Sequence, residues 1–183
     1  MPHISNLYAD CNSYIKNNDY VLTFNYTNTY AELYGSKADI IHVHGKLDDS
    51  IVLGINSNEY DNVGSNDYKF IRYKKYYQRI TKRTLDDLNP LFTYINLTTE
   101  QRSLSIIGHS LDVSDGDILT VIFDVFDVIK IYFHNDNALD SYVKNLKLIF
   151  GAKELSKMTF SQKVIFRKLP PNEFKKVNTN DKL

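Results

Sequence analysis

The sequence predicts an α/β fold, a mainly parallel sheet covered by helices on both faces. Two observations carry this. Short β-branched and aromatic runs alternate along the chain with stretches whose apolar residues recur at helical spacing. Clusters of Asn, His, Gly and Ser then follow the runs, and the carboxyl ends of parallel strands are where an open sheet presents ligand-binding groups.

Each element has its own signal. Residues 3–18 carry Ile4, Leu7, Tyr8, Cys11 and Ile15 at helical intervals. "YVLTFN" is a short buried strand, and "TYAELYG" is a helix stopped by Gly35. "DIIHVHG" alternates Ile41 and Val43 on one face with His42 and His44 on the other. "SIVLGI" reads as a third strand. The chain then turns polar through "SNEYDNVGSNDY" and continues into "YKFIRYKKYYQRITKRTLDDL", which reads as a solvated helix face. Pro90 breaks that region and "LFTYINL" resumes a helix. "RSLSIIGHSLDVSDGDILTVIFDVF" has the grammar of strand, loop and helix. There Ser114 or Asp115 is placed to cap, and Ile118, Leu119, Ile122 and Phe126 line one helical face. "VIKIYFHND" is another strand, and "ALDSYVKNLKLIFG" is a helix closed by Gly151. A single domain over 1–169 is expected, with a flexible Pro-, Lys- and Asn-rich tail over 170–183.

The bulk numbers narrow the function. Lys+Arg and Asp+Glu both number 22, so no net field draws the chain to nucleic acid or to anionic membrane. The single Cys11 excludes an intramolecular disulfide and a Cys-rich zinc site. With no signal-peptide pattern and no apolar run of transmembrane length, a reducing cytoplasm is the expected home. The 14 Tyr, among many Asn and Lys, reflect an AT-rich coding bias before they reflect function.

The polar clusters fall at the predicted strand ends. Asn25 and Thr27 follow the first strand, and His44 and Gly45 the second. Gly108, His109 and Ser110 follow a later one, and Asn135 and Asp136 the last. Amides and carboxylates bond sugar hydroxyls, and Gly lets backbone N–H groups approach a phosphate or ring, so the set suits a ribose or nucleotide. Asn25 and Thr27 equally suit the caps of a following helix. His44 is the candidate proton acceptor because Gly45 clears space beside it. "GHSL" resembles part of a nucleophile elbow, but Asp112 stands where that motif needs Gly, so a serine hydrolase fits poorly. His42 and His44 with Asp48 and Asp49 match no zinc spacing, and no metal is expected.

"FNYTNTYAELYG" (24–35), "HVHG" (42–45), "IVLGI" (51–55), "IIGHSLDVSD" (106–115) and "IKIYFHND" (129–136), in this order, resemble the AbiH family of bacterial abortive-infection proteins. That family is distantly similar to the sirtuin-like, Rossmann-like NAD-binding domains. The resemblance implies NAD as ligand, Asn25 beside the nicotinamide ribose and His44 as general base. It also implies Gly108 and Ser110, next to His109, on the adenosine side, with Asn135 at a ribose. Thr27 stands where sirtuins carry an acidic residue, and the sirtuin zinc-ribbon cysteines are absent, so NAD cleavage is implied in preference to deacylation. AbiH proteins usually begin with a strand and a Gly-Asn-Gly-Phe-Asp loop, which does not occur here. The resemblance therefore implies the C-terminal portion of a family member, without the phosphate-loop half, and an N-terminal protein partner or a homo-oligomer to complete it. A non-catalytic interaction module is the alternative.

Overall fold

The computed structural model describes residues 20–34, 38–47, 49–54 and 71–169. The helix expected over 3–18, the stop at Gly35 and the tail over 170–183 lie outside these residues. Strand β1 (Tyr20–Thr23) leads through the short helix α1 (Thr29–Tyr34) to β2 (Asp39–His42). The two strands pair in parallel, Tyr20 opposite Asp39 and Thr23 opposite His42, so they end side by side. β2 stops at His42 because the chain turns, with Gly45 N–H donating to the His42 carbonyl at 3.0 Å.

Gly45 takes φ 75°, and a side chain there would collide with the Ser50 carbonyl. The space that the sequence assigns to a ligand beside His44 is filled by that backbone, so the requirement for Gly is steric. Residues 51–54 do not form the expected third strand. Val52, fully buried, instead donates its N–H to the His44 carbonyl at 2.8 Å, and side chains of Tyr26, Gln78 and Lys82 bond the rest of the segment's backbone.

Helix α2 (Lys75–Lys82) ends where Arg83 adopts a left-handed conformation, and a helical turn at Asp86–Leu88 leads into α3 (Asn89–Leu97). Pro90 lies in the first turn of α3, where its missing N–H leaves no bond unmade. Strands β3 (Ser103–Ile107), β4 (Val128–Phe133) and β5 (Val164–Lys168) form a second, wholly parallel sheet in the order β3-β4-β5. Helix α4 (Gly116–Val125) joins β3 to β4, and α5 (Asp136–Phe150) with α6 (Ala152–Phe160) joins β4 to β5. The sequence reading passes over 152–168 and so misses α6 and β5.

Both crossovers step in the same direction, and right-handed crossovers of that kind place their helices on one face. Ile129, Ile131 and Phe133 accordingly share one core cluster with Ile118, Ile122, Phe123, Leu146 and Met158. On the opposite face Ser103, Ser105 and Arg167 are exposed and Lys130 and Tyr132 half-buried. The β1-β2 and β3-β4-β5 sheets do not hydrogen-bond to each other. They are united by the core, which Ile41 and Val43 join from β2 and the turn after it. No helix among the described residues is long and apolar enough to cross a membrane.

Candidate functional site

The ends of β1, β2 and β3 meet at a buried cluster of charged and imidazole groups. Phe24, directly after β1, lays its ring 4.0 Å from that of His109, two residues after β3, and 5.3 Å edge-on from His44. His44, 4 % exposed, points its Nε2 at Asp115 Oδ1, 3.1 Å away. The same oxygen accepts from Lys75 Nζ at 2.8 Å and Arg79 Nη2 at 3.0 Å. Arg79, with 0 % exposure, also pairs with Asp117 through Nη1. Two carboxylates thus balance two cations in the interior, the condition under which buried charge is tolerated.

The polar bonds fix the state of each ring. His109 Nδ1 accepts the Leu111 backbone N–H at 2.9 Å, so the His109 proton sits on Nε2. That Nε2–H faces Asp115 Oδ2 at 3.7 Å, longer than a hydrogen bond. His44 donates Nε2–H to Asp115 and turns Nδ1 to Arg79 Nη2 at 3.5 Å. Burial alone would raise the Asp115 carboxyl, but the contacts of His109, His44 and Lys75 outweigh it and hold the group well below the usual carboxylate range. The Tyr26 phenol, which donates to the Val52 carbonyl at 3.0 Å, is pushed up by burial and by the nearby Asp115 charge.

The candidate residues separate into two groups. His44 and His109 come together as the sequence suggests. His42 does not share their environment: its Nδ1 lies 3.1 Å from the Asn25 carbonyl, away from Asp115. That contact uses the Asn25 backbone; the residue is exposed, as is Thr27, whose hydroxyl meets that of Thr29 at 2.7 Å. Gly108 has φ 70° and nothing within 4 Å of where a side chain would begin, leaving its backbone open. Ser110 is exposed and offers its carbonyl to Asn145 Nδ2 at 3.2 Å. Asn135 caps α5, its side-chain oxygen accepting the Ala138 N–H at 2.8 Å.

The residues that the sequence reading misses are Lys75, Arg79, Asp115 and Asp117. Where it is described, the stretch over 68–83 is solvated at Arg72, Tyr73 and Ile80 to Arg83, but its other side is not: Arg79 is sealed inside and Lys74 is 4 % exposed. Asp115 stands at the N-cap position of α4, but its side chain makes no capping bond there; Asp112 caps the turn before it, accepting the Ser114 N–H at 2.8 Å. A partial signal was present. Lys75, Arg79 and Arg83 form an i, i+4 row of cations, and along the chain only Arg83 has acids within helical reach, Asp86 and Asp87.

A family model described as bacteriophage abortive infection AbiH matches residues 3–135. No curated protein and no solved structure matches the chain.

Proposed function

The chain belongs to the bacteriophage abortive infection AbiH family, and from that premise we propose that it serves phage defence by binding a nucleotide at the carboxyl ends of β1, β2 and β3. The observation that carries the reading is the buried His44–Asp115 cluster, with His109 beside it, where the parallel pair β1-β2 and the strand β3 of the second sheet end. We assign NAD as the nucleotide and hydrolysis of its nicotinamide–ribose bond as the reaction, water replacing nicotinamide to leave ADP-ribose. The support is the chain order of the Asn, His-Gly and Gly-Xaa-Ser groups together with the imidazole pair. In the described geometry His44 is enclosed by protein groups, so a base role requires Arg79 to release Nδ1.

Calorimetric titration with NAD, and chromatographic assay of nicotinamide release, test the reading. Micromolar binding with release of nicotinamide supports it; no heat and no product from a folded chain overturns it. If His44 is the base, His44→Ala lowers turnover at least about a hundredfold. His42→Ala, whose ring meets a backbone carbonyl, lowers it far less. Full turnover by His44→Ala removes that residue from the mechanism.

A second reading, a non-catalytic module completed by a partner, draws support from the two sheets that share a core without sharing a ladder. It expects no nicotinamide release from the isolated chain and a complex when a partner is co-expressed.

A further inference from the structure

The two oxygens of Asp115 are unequal. Oδ1 takes Lys75, Arg79 and His44 at 2.8, 3.0 and 3.1 Å, which saturates its lone pairs and fixes the carboxylate plane. Oδ2 has, among the described residues, only His109 Nε2 at 3.7 Å. His109 is equally constrained. The Leu111 N–H occupies its Nδ1, the Phe24 ring packs against its plane, and its proton can lie only on the nitrogen facing Oδ2. Its side chain keeps 14 % of its surface open.

We propose that Asp115 Oδ2 and His109 Nε2–H form a hydroxyl-recognition pair, in which a ligand hydroxyl accepts from His109 and donates to Asp115. A carboxylate oxygen and an N–H held too far apart to satisfy each other are complementary to a group that both accepts and donates. A phosphate oxygen or a carboxylate has no proton for Asp115, and an ammonium has no lone pair for His109. A sugar hydroxyl has both. Naming that sugar as a ribose rests on the nucleotide reading above; the pair itself does not. Lys75, Arg79 and His44 are then positioning residues, which hold Oδ2 on the His109 side by engaging Oδ1.

Long-range nitrogen–proton NMR of the histidine rings in the full chain tests this, with ADP-ribose and methyl riboside as probes. The free protein should show His109 as the Nε2–H form. ADP-ribose should shift the His109 Nε2 resonance and bind at least about tenfold more weakly to His109→Phe, which keeps a ring against Phe24 but has no donor. Asp115→Asn should weaken it similarly, and the phenylalanine variant decides the matter if that protein does not fold. Unchanged ADP-ribose affinity in His109→Phe overturns the pair and leaves the nucleotide reading standing. A His109 shift with methyl riboside, with ADP-ribose binding no more tightly, supports the pair and overturns the nucleotide reading. No shift with either probe overturns both.

Discussion

Asp115 concentrates the electrostatics of this molecule on one side chain, with Lys75, Arg79 and His44 on Oδ1 and His109 facing Oδ2. Removing its charge leaves Lys75 and Arg79 without their shared counter-ion, so Asp115→Asn should destabilise the fold by about 3–5 kcal/mol at neutral pH. The pH dependence has a definite sign. A carboxyl held below its ordinary value contributes stability in full above the unfolded value of about 3.9, and loses that contribution as pH falls toward the folded value. Urea unfolding of wild type and Asp115→Asn should therefore show a difference that narrows as pH drops below about 4. A difference that stays constant to pH 3 would mean that Asp115 is not the charged hub described.

At the scale of elements, two glycines and one cap separate backbone requirements from ligand chemistry. Gly45 and Gly108 both hold positive φ, but only at Gly45 would a side chain meet backbone. Gly108→Ala should cost about 1–2 kcal/mol for the left-handed conformation alone, and Gly45→Ala clearly more, because the Ser50 carbonyl must also move. Thermal melts that rank the two in the reverse order would contradict the turn geometry. Asn135 closes the first turn of α5 through the Ala138 N–H. Asn135→Ala should cost about 1 kcal/mol, and Asn135→Asp, which keeps the accepting oxygen, much less. A cap role also leaves nucleotide affinity untouched, so a loss of NAD binding in Asn135→Asp would restore Asn135 to the site.

At the scale of the whole molecule, the two sheets are joined by side chains rather than by a ladder. Ile41 and Val43 pack into the cluster that holds Ile129, Ile131 and Phe133, so both sheets should unfold in one transition. Circular dichroism and tyrosine fluorescence melts should coincide, and two separated transitions would show that the shared core does not couple them. Among the described residues no strand closes the second edge of β1 or of β3. Open edges template further pairing, so the purified chain should self-associate or capture a partner, as light scattering would reveal. A stable monomer at high concentration would show that those edges are protected in solution.

The strands β1 to β4, the inward face of α4 and the closing of α5 at Gly151 were legible in the sequence, because local periodicity and turn chemistry act over a few neighbouring residues. That His44 and His109 each follow a strand was legible too, but their meeting was not, because β2 and β3 belong to different sheets and only the packing of the two brings them to Asp115. The segment at 51–54 misled for a physical reason. Its apolar pattern matches a strand, yet the segment that buries Val52 is held by the His44 carbonyl and by the side chains of Tyr26, Gln78 and Lys82 rather than by a ladder. The roles of Lys75, Arg79 and Asp115 were decided only by tertiary structure. A cation on a helix is solvated or buried according to whether a carboxylate arrives opposite it, and Asp115 arrives from 36 residues further along the chain. Periodicity names the face on which a residue lies; only packing determines which charge it meets there.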